Sequence, residues 1–147
     1  MDRLARLEAV MAIQDLKARY FRCVDTKDWA GWRSLFTDDA VLKTDGAVST
    51  GGRDGKTSVT VGGDAIVAMV AHHMKDAWSV HHGHMPEIDV ISETEARGIW
   101  AMADIVMYPD RTLHGAGHYL EEYRRVDGQW RISTLHLRRL RVHNECT

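Results

Sequence analysis

Nine histidines and five tryptophans stand against two prolines and two cysteines in a chain of 147 residues. The run Val80-His81-His82-Gly83-His84 is the densest cluster of imidazoles. On a strand, alternate residues share a face, so His82 and His84 would point one way and His81 the other. Two chemistries suit such a run. A metal site would use two imidazoles from one face and a third ligand. A general base would use one imidazole held by a carboxylate, which fixes its tautomer and raises its basicity. Surface histidines with no role are the third reading. No HxxxH helix or CxxC pair supports the metal reading, and His72-His73, His136 and His143 read as surface.

Three other positions attract attention. Asp25 ends a predicted helix five residues after Tyr20, where its plain reading is a helix-terminal turn residue. Tyr20 sits on an apolar stripe, and a buried phenol needs a hydrogen-bond partner. Asp104 interrupts an apolar strand, with Trp100, Met102 and Val106 on its own face. A carboxylate in that setting is costly unless it is paired or faces a wet cavity. Arg138, Arg139 and Arg141 lie in the last predicted strand, where Arg138 opposes Arg139 across the sheet. One inward Arg there would bind a substrate anion or hold Asp104. His114 and His118, four apart, share a face.

The elements that must position these residues follow from periodicity. Leu4, Leu7, Val10, Met11, Ile13, Leu16, Tyr20, Phe21 and Val24 recur at three- and four-residue steps, the stripe of a helix of about 20 residues. Asp28 is placed to cap a second short helix carrying Trp29, Trp32, Leu35 and Phe36. A short strand at Ala40-Val41-Leu42 precedes a Gly-rich stretch, 43–63, expected to be a lid or rim loop. Residues 64–74 return to helix. From Trp78 the period is two. Residues 96–108 are almost continuously apolar, as in a strand buried on both faces, and Asp127-Gly128 marks a hairpin between two long strands. The expected fold is a single α+β domain, 1–147, a curved, mostly antiparallel sheet wrapped by about three N-terminal helices.

Composition narrows the class. With 44% hydrophobic residues the chain can hold a core. Nineteen Lys and Arg against 21 Asp and Glu give no basic excess for nucleic acid. Cys23 and Cys146 do not make a disulfide framework and read as free thiols in a reducing cytosol. The charged start MDRLARLEAV is unlike a signal peptide, and no stretch approaches the ~18 apolar residues of a membrane span. The expectation is a cytoplasmic protein.

AIQDLKARYFRCVDTKDW, LFTDDAVL, ISETEARG and EEYRRVDGQWRIS together resemble the SnoaL-like branch of the nuclear transport factor 2-like superfamily. The Asp thirteen residues after the Ala of AIQDL and the stretch YRRVDGQW carry most of the likeness. The resemblance implies a cone-shaped barrel of curved sheet and helices. Its eliminating members, the scytalone dehydratases, bile-acid 7α-dehydratases and hexachlorocyclohexane dehydrochlorinases, use an Asp–His pair, which maps onto Asp25 and His81. The interval of eleven residues from His81 to Ser92 of ISETE supports His81 over its neighbours. The bile-acid enzymes also match at Tyr20, Asp104 and Arg139. The chain departs from the scytalone enzymes at Val106, where they have a second catalytic His, and from the dehydrochlorinases at Tyr20, where they have Lys.

The resemblance implies a cofactor-free, metal-free lyase in which Asp25, His81 and Tyr20 are catalytic. Asp104, Arg139, His118 and Trp100 would then contact a small hydrophobic substrate of cyclic, polyketide or steroid-like type. The alternatives are an isomerase or cyclase with the same base, or a non-catalytic small-ligand module. A homo-oligomer, trimer or dimer, is expected through the open face of the sheet.

Overall fold

The computed structural model describes residues 1–45 and 57–146. Helix α1 (Arg3–Asp25) starts where the Asp2 side chain accepts the Ala5 N–H at 2.8 Å, satisfying one of the free donors of the first turn. Its inward stripe is Ala9, Ile13, Leu16, Lys17, Tyr20, Cys23 and Val24. Leu4, Leu7 and Met11 do not join it. They are 65%, 53% and 64% exposed, which corrects the single stripe expected from spacing. Three- and four-residue steps trace two stripes on opposite sides of one helix, and only the side carrying Ile13, Leu16 and Tyr20 meets the sheet.

Asp28 caps α2 (Trp29–Arg33), accepting the Gly31 N–H at 2.9 Å. Leu35 and Phe36 lie beyond that helix, both buried. Strand β1 (Phe36–Thr44) is longer than Ala40-Val41-Leu42 alone, and β2 (Ser58–Val61) pairs with it. The expected loop 43–63 is therefore partly strand, and residues 46–56 of it lie outside the described residues. Helix α3 (Gly63–His73) follows. The remaining strands are β3 (Trp78–Val90), β4 (Glu95–Met107), β5 (Arg111–Val126) and β6 (Gln129–Cys146).

The six strands run in the order β2-β1-β6-β5-β4-β3. Every pairing is antiparallel except β1 with β6. The curved sheet stays open, with β2 and β3 as its edges, so the expected barrel is not closed. The β5–β6 hairpin turns at Asp127 and Gly128, whose φ of 51° and 78° are those of the tight turn that suits the twist of the strands.

β4 alternates strictly. Ala96, Gly98, Trp100, Met102, Asp104 and Val106 are buried, and the residues between them face outward. This corrects the expectation of a strand buried on both faces. The helices cover only the inner face, where Ile13, Leu16, Tyr20, Trp32, Phe36, Trp100, Met102, Tyr119 and Ile132 form one continuous core.

Candidate active site

Asp25 is the last residue of α1, and the end of that helix meets the edge strand β3. An edge strand presents unpaired backbone donors. Asp25 takes one of them: its Oδ2 accepts the His81 N–H at 2.9 Å. Its Oδ1 accepts the Ser79 hydroxyl at 2.8 Å and lies 2.7 Å from His81 Nδ1. Burial alone would raise the Asp25 pKa, but the hydrogen bonds from the His81 ring, the His81 backbone and Ser79 outweigh it and hold the carboxyl below its ordinary range. Beside an ionised Asp25 the neutral imidazole carries its proton on Nδ1, which leaves Nε2 as the acceptor. The His81 side chain is 13% exposed and that of Asp25 21%, so the dyad is sheltered yet reachable.

His81 Nε2 points toward Asp104 on the neighbouring strand, 3.8 Å from Oδ2. His81 and Asp104 are direct cross-strand partners. Asp104 is 2% exposed, and both its oxygens accept from the Arg139 guanidinium at 2.7 Å. This bidentate pair answers the cost of burying a carboxylate. Burial would lower the Arg139 pKa, but the Asp104 carboxylate more than reverses it.

Arg139 must cross β5 to reach Asp104, and Gly115 makes that possible. Gly115 pairs with Asp104. A Cβ there would lie 1.7 Å from Arg139 Nη1 and 2.1 Å from Asp104 Oδ1. The β5–β6 register also shifts between Ala116 and Gly117, so Leu140 has no opposite number. On the other side of His81, a Cβ on Gly83 would lie 2.6 Å from the Phe21 ring. Bare backbone at 83 and 115 thus lets α1 and Arg139 close around the imidazole.

Tyr20 is buried in contact with the rings of Phe21, Trp32, Phe36 and Tyr119. Burial pushes its phenol well above the ordinary range, and the charges of Glu121, Asp104 and Asp25 push the same way. Tyr20 therefore stays protonated, a donor and not a base. Trp100 lies on the inner face, with its Nε1–H donated to the Tyr123 hydroxyl at 2.9 Å. It forms wall, its polar group already engaged.

Sequence reasoning missed Lys17 and Glu121. Both are buried, and they form an ion pair between α1 and β5. The signal was available: a Lys at position 17 falls on the same stripe as Ile13, Leu16, Tyr20 and Val24.

His118 is not brought to the dyad. It lies on the outer face of β5, opposite Ala101 and Arg138, and it lines a cavity of about 370 Å³ with Leu120 and Leu140. The reason is the period of two: Gly117 and Tyr119 face inward, so His118 cannot. His82 and His84 stack on each other on the outer face of β3, with ring centroids 6.2 Å apart. His114 and His143 pair across β5 and β6. His136, expected at the surface, is half-buried against Asp45 at 2.8 Å. Among the described residues no group of three or more His, Cys, Asp or Glu has metal-holding geometry. Cavities of about 670 and 500 Å³ open on the outer sheet face and beside the N-terminal half of α1, and neither includes the dyad. Among the described residues, the inward line Asp25–His81–Asp104–Arg139 brings an imidazole, two carboxylates and a guanidinium together.

Residues 5–136 match the model of the SnoaL-like domain family. The probable cyclase FGR4 of Gibberella zeae is 29% identical over 140 residues, covering 90% of this chain and 92% of that protein. A hexachlorocyclohexane dehydrochlorinase, LinA type 2, superposes with a TM-score of 0.83 at 21% identity, over 98% of this chain and 93% of its own. A scytalone dehydratase-like protein of Novosphingobium aromaticivorans superposes with a TM-score of 0.76 at 24% identity, over 95% and 89%. The two structures show a shared fold. No helix is long and apolar enough to cross a membrane among the described residues.

Proposed function

The chain belongs to the SnoaL-like domain family, and on that premise we propose that it is a lyase that eliminates water, or a similar leaving group, from a small hydrophobic carbonyl compound. The observation that carries this reading is the 2.7 Å contact between Asp25 Oδ1 and His81 Nδ1, with Nε2 turned inward. A binding module has no need of an imidazole polarised by a carboxylate. The eliminating enzymes among its structural neighbours add support at the level of fold.

The reaction needs side chains alone. His81 Nε2 takes the proton next to the carbonyl. Asp25 stabilises the imidazolium that forms, as the carboxylate of a catalytic triad does. Tyr20 donates a hydrogen bond to the developing enolate oxygen. The enolate collapses, a carbon–carbon double bond forms, and the departing hydroxyl takes the proton back from His81 and leaves as water. Arg139, oriented by Asp104, holds that hydroxyl near Nε2. Trp100 supplies apolar wall. A cyclisation or isomerisation with the same base is the second reading, favoured by the cyclase name of the fungal relative.

Incubation with cyclic β-hydroxyketones in D₂O, followed by NMR, tests the proposal. The expected result is an enone together with deuterium at the carbon next to the carbonyl. Deuterium without enone selects isomerisation or cyclisation. Equal exchange by the wild type and His81→Ala overturns the assignment of the base.

The outer sheet face carries Val80, Ile99 and Leu140 at 39%, 41% and 54% exposure. We propose that this face joins copies of the chain into a homo-oligomer.

A further inference from the structure

One charge beneath the site is absent from the proposed chemistry. Lys17 is 0% exposed, one turn before Tyr20 on α1. Its ammonium donates to Glu121 Oε1. Glu121 Oε2 accepts the Tyr123 hydroxyl, which in turn accepts Trp100 Nε1–H. This chain of hydrogen bonds satisfies Glu121 from two sides. A buried ion pair is weak evidence for stability, since desolvating both charges offsets most of their attraction. Burial does lower the Lys17 pKa, against the raising effect of Glu121.

The other side of the ammonium is aromatic. Nζ lies 3.8 Å from the ring centroid of Tyr20 and 3.8 Å from that of Tyr119, with Phe21 at 5.0 Å. One cation is therefore held by the faces of two phenol rings, whose own centroids are 6.0 Å apart. Both phenols lie within the electrostatic reach of Asp104 and Arg139. A cation on a π face binds it electrostatically. It also draws density away from the ring, which makes the phenolic O–H a stronger donor. In a water-excluded site a fixed charge of this kind acts with little screening.

We propose that Lys17 is a positioning residue of this site: seated on Glu121, its ammonium clamps the Tyr20 and Tyr119 rings and strengthens the hydrogen bond that Tyr20 gives to a substrate oxyanion. The inference rests on the reading in which Tyr20 is that donor.

Two probes of one shape that differ by one oxyanion, 4-nitrophenolate and nitrobenzene, test it by binding titration. The proteins are the wild type, Lys17→Arg, Tyr20→Phe and the neutral pair Lys17→Met with Glu121→Gln. A second neutral pair, Lys17→Leu with Glu121→Met, takes its place if the first fails to fold. The wild type and Lys17→Arg are expected to prefer the phenolate. The neutral pair and Tyr20→Phe are expected to lose that preference by about tenfold, with nitrobenzene affinity unchanged. A preference kept by the neutral pair and lost by Tyr20→Phe overturns the role of Lys17 and leaves that of Tyr20. Equal loss in Lys17→Arg and the neutral pair marks a structural role and also overturns it. A wild type without the preference overturns the donor reading of Tyr20 itself, and this inference with it.

Discussion

His81 Nδ1 and Asp25 Oδ1 lie 2.7 Å apart although 56 positions separate them in the chain. The same carboxylate accepts the His81 backbone N–H and the Ser79 hydroxyl. One side chain thus orients the His81 imidazole and ties the end of α1 to the free edge of the sheet.

Replacing either member of the dyad should remove proton abstraction while the fold survives. For Asp25→Asn and His81→Ala, α-proton exchange in D₂O is expected to fall by roughly 10²–10⁴-fold, the usual contribution of a positioned general base. Thermal melting checks that each variant remains folded.

The acid limb of stability should carry the signature of Asp25. Its folded pKa is depressed, so its contribution is fully present above the ordinary Asp value of ~3.9 and is lost as pH falls through the lower folded value. Denaturant titrations across that window are expected to show a shallower pH slope for Asp25→Asn than for the wild type. Identical slopes contradict the assignment.

Gly115→Ala should behave like a lesion of Arg139. The added Cβ cannot coexist with Arg139 Nη1 at 1.7 Å and Asp104 Oδ1 at 2.1 Å. The guanidinium must move, leaving a buried carboxylate uncompensated. A loss of about 3–5 kcal/mol is expected, as for other changes that break a buried ion pair. Arg139→Met should show the same loss of stability in denaturation, and in both variants enone formation is expected to fall more than α-proton exchange.

Lys17→Met alone should be far more damaging than Lys17→Met with Glu121→Gln. The single variant strands a buried carboxylate, a change that typically costs about 3–5 kcal/mol. The paired change removes both charges and is expected to recover most of that loss in equilibrium unfolding.

Leu140→Glu and Ile99→Arg should shift the protein toward monomers in sedimentation if the outer face of the sheet joins copies. Both side chains point away from the core, so the monomer fold is expected to remain intact.

Much of this was legible in order of strength. Period-two alternation placed His81 opposite His82 and His84, and it put Asp104 on one face with Trp100 and Met102. Those facings follow from strand geometry alone. Leu4, Leu7 and Met11 misled because a helix has two sides and spacing does not say which one meets a sheet. His118 misled for a related reason: sharing a face with His114 does not reveal whether that face is inner or outer. The apolar run of β4 hid its exposed side because Ile99, Ala101 and Ala103 are apolar yet lie outside the core.

The sequence by itself determined the elements, the α+β class and the residue types able to move a proton, because these depend on neighbours a few positions away. Only the tertiary structure decided which of them meet. Asp25 reaches His81 because α1 packs along the edge strand. Arg139 reaches Asp104 because β5 offers bare backbone at Gly115 and the register shifts beside Leu140. Lys17 reaches Glu121 because α1 lies across β5. Each contact joins residues far apart in the chain, and its energy depends on burial and distance, which no local pattern encodes.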